Sequence, residues 1–357
     1  MAATDTVHAE PVVSVIVPAR NEEASLSACL ESLVGQSGVE FELIVVDDHS
    51  SDRTHEIALS FSNRGARVIE AGTLPASWTG KNHALVCGGR VARSQWLLFT
   101  DADTIHLAGS LARALQEARH HHASLLSYSP QQIVESFWEK AVMPVIFAEL
   151  AAAYRPSQVS DPSSAVAAAN GQYILMTREA YDAVGGHAAI ADQILEDVAL
   201  ARAVKRSGRP IFFRYAPDAV RTRMYHNFSE LREGWTKNLA LLFSSPRRLA
   251  ALRASEFLLI IASLVIAVAE VLRGHAQSAS MAGLLGIVLS AIFIARIRRA
   301  HFAWGTNLLS FAGLPVFSCL LFQSWRSRQR VVWKDRIYEA NQGSQLEIAQ
   351  PTIEHLR

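Results

Sequence analysis

The alternation of apolar and polar positions predicts a regular series of strands and helices over roughly the first 240 residues. Val12-Val13-Ser14-Val15-Ile16-Val17-Pro18 reads as a buried first strand stopped by proline. Asn21 offers an N-cap, and Glu22 and Glu23 suit the positive end of the next helix. Leu26, Cys29, Leu30 and Leu33 give that helix an apolar face at helical spacing. Phe41–Val46 predicts a second strand, and Asp47-Asp48-His49-Ser50-Ser51-Asp52 a polar turn that caps the next helix. Ala66–Ile69 predicts a third strand, Gly80–Arg93 a helix, and Trp96–Thr100 a strand running into Asp101-Ala102-Asp103. An amphipathic helix over Leu107–His122 and a strand over Ala123–Ser129 come next. Ala167–Met176 passes from small residues into a strand, Val184–His187 closes a short helix at a glycine cap, and Ile194–Ala201 opens another helix. Strand and helix alternating in this way argue for an α/β fold with a mainly parallel sheet and flanking helices.

Two apolar patterns do not fit that scheme. Phe137–Tyr154 is apolar but short, and it carries Glu139, Lys140 and Glu149. It reads either as a core helix or as a helix in the membrane interface anchored by Trp138 and Tyr154, and the second reading is preferred. Farther on, Phe257–Leu272, Ala279–Ala295 and Ala303–Trp325 are three apolar runs. A hydrocarbon core takes ~20 helical residues, so they predict a C-terminal α-helical transmembrane region. Arginines flank the runs: Arg247, Arg248 and Arg253 before the first, Arg296, Arg298 and Arg299 after the second, Arg326, Arg328, Arg330, Lys334 and Arg336 after the third. Positive-inside reasoning places all three clusters on one side, the cytosol. Three full spans cannot do that, so Gly313 and Pro315 are expected to split the third run into a re-entrant hairpin, the alternative being a plain third span with the tail outside. The expected organisation is a disordered N-terminus over 1–11, a cytosolic domain over 12–243, a transmembrane region over 244–325, and a basic cytosolic tail over 326–357.

The 357 residues exceed what one compact core normally uses, and 34 Lys and Arg against 33 Asp and Glu argue against a partner nucleic acid. Cys29, Cys87 and Cys319 show no pairing or metal spacing and read as reduced structural thiols. Residues 1–11 lack the apolar core of a secretory signal, so the enzyme-like domain is expected to stay in the cytosol. Neither a Gly-x-Gly-x-x-Gly after the first strand nor a P-loop sequence occurs, which argues against dinucleotide and P-loop chemistry.

The chemistry lies in the acidic strand ends. Asp101 and Asp103 follow a strand, where ligands of open α/β sheets bind, and two hard carboxylates suit Mg2+ or Mn2+ beside a nucleotide diphosphate. A bare Asp-x-Asp is more often a solvated turn, but Asp47 and Asp48 end a second strand on the same edge. Lys81 opens a helix after a Pro/Trp/Gly loop and reads either as a solvated lysine or as a phosphate ligand. Glu196 and Asp197 open another, where complementing the helix dipole is the plainer reading. His120, His121 and His122 point to different faces and read as a solvated helix end.

Val15–Glu22, Val45–Asp52, Gly80-Lys81 and Thr100–Asp103, in that order and spacing, resemble the family 2 glycosyltransferases of the GT-A fold. The resemblance runs from about Val12 to Leu242. It implies an inverting transfer from a nucleotide-sugar, a UDP-sugar being favoured, with a divalent metal. Pro18, Arg20 and Glu22 would line the nucleotide pocket, Asp48 would contact base or ribose with Asp47 beside it, and Asp101 and Asp103 would hold the metal and the sugar diphosphate. The loop at Gly171 would lie against the donor sugar. Asp197 would be the general base that takes the acceptor's proton, with Glu196 its supporting neighbour. A retaining glycosidase also needs two carboxylates, about 5 Å apart, but the nucleotide-pocket residues argue against one. The Trp-x-Gly-Lys loop ending at Lys81 resembles a branch found in carotenoid and hopanoid gene clusters and the ceramide glucosyltransferases, which favours the phosphate role for Lys81. Processive and ceramide enzymes carry Gln/Arg-x-x-Arg-Trp where this chain has Leu231, Gly234 and Trp235. That departure speaks against polymer synthesis and leaves Trp235, and also Lys237, either pocket-lining or structural. Val332–Tyr338 resembles that branch's closing block, with Asp335 in place of an expected glycine.

The expectation is therefore an inner-membrane, multi-pass, metal-dependent glycosyltransferase with a cytosolic catalytic domain. It would move one sugar to a hydroxyl or carboxyl of a membrane lipid of terpenoid, carotenoid, hopanoid or sphingolipid type. The rivals are a polyprenol-phosphate glycosyltransferase, a short processive synthase, and a non-catalytic membrane scaffold.

Overall fold

The computed structural model describes residues 11–327, 330–333 and 336–339. Its contacts divide the chain into two units, Met1–Ile133 with Pro156–Met224, and Val134–Arg155 with Tyr225–Arg357. The expected 12–243 domain is thus interrupted: Val134–Arg155 and Tyr225 onward group with the C-terminal helices.

The first unit contains β1 (Val13–Ala19), α1 (Leu26–Val34), β2 (Phe41–Asp47), α2 (Thr54–Ser60), β3 (Ala66–Glu70), α3 (Gly80–Val91), β4 (Trp96–Phe99), β5 (Thr104–His106), α4 (Ser110–His120), β6 (Leu125–Ser129) and β7 (Gln131–Gln132). After a segment that belongs to the second unit come α6 (Pro156–Ser160), β8 (Ile174–Thr177), α7 (Arg178–Ala183), α8 (Glu196–Arg206), β9 (Ile211–Tyr215) and β10 (Val220–Thr222). Seven strands form one sheet in the order β3-β2-β1-β4-β8-β6-β9. Every pairing is parallel except those of β8, which runs antiparallel to β4 and β6. The register sets Val13 opposite both Phe41 and Trp96, so β1, β2 and β4 present their carboxyl ends on one edge. The β-branched runs are buried as expected, with Val13, Val15 and Val17 fully covered by Leu26, Leu30 and their neighbours.

Two boundaries differ from the sequence reading. Pro18 does not stop β1, which continues to Ala19. Thr100 donates its N–H to the Ile16 carbonyl, so the backbone groups of Ile16 and Pro18 face β4, and β4 has ended by then. The missing N–H of proline costs nothing at that position. Asn21 does not cap α1, which starts at Leu26. Its backbone is left-handed (φ 52°), and its Oδ1 accepts from the Ser51 N–H at 2.9 Å, tying the β1 and β2 loops together.

The second unit contains α5 (Phe137–Ala153), α9 (Phe228–Leu242), α10 (Pro246–Leu272), α11 (Ala276–Ile297), α12 (Trp304–Ser327) and the strand pair β11 (Arg330–Trp333) and β12 (Arg336–Glu339). Helices α10, α11 and α12 are each long and apolar enough to cross a membrane. The expected break in the third run is absent, since α12 is continuous through Gly313 and Pro315. Gly313 serves contact instead. A Cβ there would overlap the Ala141 carbonyl oxygen, so α5 and α12 touch backbone to backbone. α5 begins with a capping box between Ser136 and Glu139. It buries Ala141, Val142, Val145, Ile146 and Ala148, while Phe137 and Trp138 at its start remain exposed. Lys334 and Asp335 of the closing block, and residues 1–10, lie outside the described residues.

Four charges, Glu149 buried and the other three partly covered, join three of these helices. Arg253 contacts Glu149 at 2.8 Å and Glu256 at 3.1 Å, and Arg296 contacts Glu256 at 2.7 Å and Glu149 at 3.3 Å. The start of α10 and the end of α11 are thereby fixed beside each other on α5. Breaking a buried pair leaves an uncompensated charge, which costs about 3–5 kcal/mol. Glu149→Ala is expected to lower unfolding stability in micelles by that amount, and a variant as stable as the parent chain would contradict the account.

Candidate active site

The site is built on the carboxyl edge of the sheet in the first unit. β4 ends at Phe99, and Thr100 anchors the turn beyond it: its hydroxyl donates to the Gln172 carbonyl at 2.7 Å and stands 3.0 Å from His106 Nε2. Burial pushes the His106 imidazole down to about 3, so the ring is neutral. The single Thr100 proton is committed to Gln172, so His106 donates. Gln172 Nε2 in turn donates to Thr222, whose hydroxyl donates to the Asp103 carbonyl. The Asp101–Asp103 turn and the loop at Gly171 are thus held by one buried polar cluster.

Lys81 enters from α3. Thr79 caps that helix, its hydroxyl accepting from the Asn82 N–H, and Asn82 Nδ2 donates to the carbonyls of Ile190, Ala191 and Gln193 at 2.9, 3.2 and 3.0 Å. The start of α3 is therefore fixed to the segment that leads into α8. Lys81 Nζ lies 2.7 Å from Asp101 and 2.5 Å from Glu196. Burial opposes its charge, but the two carboxylates hold the ammonium well above the ordinary lysine value. Gly171 closes the cluster: its N–H donates to Asp197 at 3.0 Å, and a Cβ on it would stand 3.1 Å from Lys81 Nζ and 3.2 Å from Glu196. Burial, then repulsion from Glu196, raises the Asp197 carboxyl to about 7, against the pull of Lys81 and of two backbone N–H groups.

Lys81, Asp101, Gly171, Glu196 and Asp197 therefore come together from four separate segments. Pro18, Arg20, Glu22, Asp47 and Asp48 gather at the neighbouring ends of β1 and β2. Two of these also bind protein. Arg20 donates to the carbonyls of Asp48 and His49 at 2.6 and 3.0 Å. Asp47 is buried, taking Ser50 on one oxygen and His55 on the other. Both shape the loop that presents Asp48. Trp235 does not line a pocket. It is a packing residue of the second unit, 3% exposed, with its indole N–H 3.3 Å from the Met143 sulfur. His121 stacks on Phe212 at the end of α4, away from any metal-like grouping. Asn82 and Thr100 were not foreseen. Full burial of an amide beside Lys81 is their only local mark.

Among the described residues, no three His, Cys, Asp or Glu side chains converge as a ready metal cage. Asp101 and Asp103 still present hard oxygens at a strand end, and a donor's diphosphate would complete the shell of a Mg2+ or Mn2+ ion.

Residues 14–185 match the sequence profile of Glycosyl transferase family 2. The chain carries a family 2 glycosyltransferase domain. It is 34% identical over 240 residues to a 4,4'-diaponeurosporenoate glycosyltransferase of Staphylococcus haemolyticus, a match covering 66% of this chain and 63% of that one. It is 29% identical over 338 residues to the enzyme of the same name from Staphylococcus aureus, covering 91% and 88%. A mannosyltransferase from Pyrobaculum calidifontis, solved with GDP-Man and Mn2+, superposes with a TM-score of 0.51 at 17% identity, over 90% of this chain and 88% of that one. The family 2 domain accordingly has the GT-A fold.

A methyl group at 171 would push directly on Lys81 and Glu196. Gly171→Ala is expected to fold normally but to lose turnover by on the order of a hundredfold, the effect of about 1 Å of misplacement. Release of nucleoside diphosphate measures it, and full activity would contradict the close fit.

Proposed function

We propose that the chain is an inverting glycosyltransferase that moves a single sugar from a nucleotide-sugar, in first place a UDP-sugar, to an apolar membrane lipid of terpenoid, carotenoid, hopanoid or sphingolipid type. The observation that carries the reading is the Lys81–Asp101–Glu196 cluster with Asp197 held at Gly171. The two staphylococcal relatives, named for diaponeurosporenoate, support the terpenoid class.

In this reading Asp48 and the loop shaped by Arg20, Glu22 and Asp47 hold the nucleoside. Lys81 places positive charge at the diphosphate, and Gly171 lets the sugar approach the backbone closely. A Mg2+ or Mn2+ ion held by Asp103 and Asp101 would neutralise charge on the leaving diphosphate. Asp197 takes the proton of an acceptor hydroxyl as its oxygen bonds to the anomeric carbon. The carbon–oxygen bond to the diphosphate breaks on the opposite face, and its electron pair leaves with the nucleotide. Attack from the face opposite the leaving diphosphate inverts the configuration. Glu196, paired with Lys81, keeps Asp197 basic enough to accept the proton at neutral pH.

The chain is read as a multi-pass protein of the inner membrane with the enzyme unit in the cytosol. Helices α10 and α11 form a hairpin whose Arg247–Arg253 and Arg296–Arg299 ends share one face, joined by Glu149 and Glu256. Polymer synthesis is disfavoured by Gly234: a Cβ there would overlap the Tyr225 ring, which fills the place where a motif arginine would begin.

Membranes supplied with a panel of nucleotide-sugars and Mg2+ or Mn2+ are expected to yield one labelled, singly glycosylated lipid. Long products would favour a synthase, and nucleotide release from no donor would favour a scaffold. Asp197→Asn is expected to bind the donor normally and to abolish transfer to a hydroxyl acceptor, whereas equal turnover would reject the base. Because the base must be ionised, the rate should fall roughly tenfold per unit as pH drops below about 7 and level off above it. A flat profile between pH 5 and 8 would contradict that assignment. Asp103→Asn should weaken donor binding in the presence of Mn2+ and leave metal-free binding unchanged, as read by calorimetry. Equal weakening in both conditions would remove the metal role.

A further inference from the structure

Three ring contacts fix α12 against the α10–α11 hairpin, and all three lie at the same end of it. At the start of α12, the Trp304 ring carries the Arg298 guanidinium, its Cζ 4.9 Å from the ring centre. Two turns on, Phe311 meets Phe293 of α11, with ring centres 4.6 Å apart. At the end of α12, the Trp325 ring carries Arg247, from the first turn of α10, at 4.6 Å. Arg247, Phe293 and Arg298 belong to the base of the hairpin, because Arg296 pairs with Glu256, and Arg253 with Glu149 and Glu256. The hairpin turns between Leu272 and Ala276, about 30 Å farther along α10. From Trp304 to Trp325, α12 covers about 32 Å. A helix of that length running alongside the hairpin would carry one of its ends to the turn. With both ends held at the base, α12 lies across the hairpin.

We infer that α12 does not cross the membrane but lies in its interface, with its outer face docked on the lipid. The inference rests on the reading of α10 and α11 as spans and deepens it. A hairpin that crosses the hydrocarbon has its base at the boundary, and a helix laid across the base lies along that boundary. The faces of α12 suit this place. Trp304, Leu308, Ala312, Cys319 and Phe322 form an exposed stripe, while Asn307, Ser310, Ser318 and Ser324 are buried on other faces. A helix facing water would have the reverse order. The stripe continues the apolar surface that α10 and α11 expose, so its occupant is the same lipid. Each end carries a tryptophan stacked with an arginine, a pair that suits the head-group level. Half of the apolar stretch of α12 is buried, against 11% for α10 and 17% for α11. Length and apolarity alone would let α12 cross, but its packing sets it apart from the two spans. Two spans also return the chain to the side it left. The arginines at 247–253, 296–299 and 326–330 then share one side, which three spans would divide.

Label depth in the bilayer tests this. The full-length protein, in a Cys87→Ser background, would carry a nitroxide on the exposed Cys319, or on Leu308→Cys, Ala312→Cys or Phe322→Cys combined with Cys319→Ser. Val265→Cys, exposed in the middle of α10, serves as the deep reference. In vesicles of phosphatidylcholine and phosphatidylglycerol, relaxation by oxygen and by a water-soluble nickel chelate gives the depth of each label. The four α12 labels are expected at one shallow depth, about 5–10 Å into the boundary. Val265→Cys is expected near the midplane, about 15 Å below the boundary. Ala312→Cys as deep as Val265→Cys, with Leu308→Cys and Phe322→Cys shallower, is the profile of a crossing helix and would overturn the inference. So would four α12 labels open to the nickel chelate and closed to oxygen, which would place the stripe in water. A shallow Val265→Cys would instead remove the reading of the hairpin as a span, and the inference with it. A second measurement needs no substitution. Epitopes fused to the two ends of the chain are expected to be digested from the same side of sealed vesicles, and digestion from opposite sides would contradict an even number of spans.

Discussion

One cation between two carboxylates organises the catalytic edge of this protein. Lys81 bridges Asp101, at the end of a central strand, and Glu196, in the first turn of α8. Without it, three carboxylates would crowd one small volume, and at least one would be driven to protonate. With it, Asp101 and Glu196 share one cation, and Glu196 becomes a fixed neighbour for Asp197. The lysine can do this only because its helix is held in place. Asn82, the next residue, binds three carbonyls of the segment that leads into α8. Gly171 then completes the cluster, as the one residue type that lets the loop pass this close to both side chains.

The second unit obeys a different logic. Helices α10 and α11 bury few side chains and expose many large apolar ones, the pattern of surface meant for lipid, while α12 is half buried. At one level of the helices Glu149, Arg253, Glu256 and Arg296 neutralise one another. Such a network gives little net stability against an apolar alternative, but it fixes which helix ends lie together. Helix α5 takes part in both features: its start meets α12 at Gly313, and its end joins the charge network.

Much of this was legible in the sequence, and the exceptions have physical causes. The strands of the sheet were readable because buried parallel strands are continuous apolar runs. Asp101 and the Glu196–Asp197 pair stood out at a strand end and in a first helical turn, and the fold brings them together around Lys81 and Gly171, while their roles came from the family resemblance. Asn82 was not, because its partners stand 108 or more residues away. Arg20 and Asp47 were placed at the right strand ends, but only the fold shows that they also bind the loop that presents Asp48. Trp235 was left open between a ligand platform and a structural role, and its burial against Met143 favours the structural one. The break assigned to Gly313 and Pro315 rested on the arginine clusters together with local propensity, and α12 runs through both residues, packed on α5 at Gly313.

The account turns on Lys81 joining the acidic groups into one transfer site. The most direct test is the stoichiometry and anomeric configuration of product made by the full-length protein in lipid nanodiscs, compared with Lys81→Met. The account predicts one inverted glycolipid for each nucleoside diphosphate released, and neither product from the variant. Undiminished glycolipid from Lys81→Met, or a product of retained configuration, would contradict it.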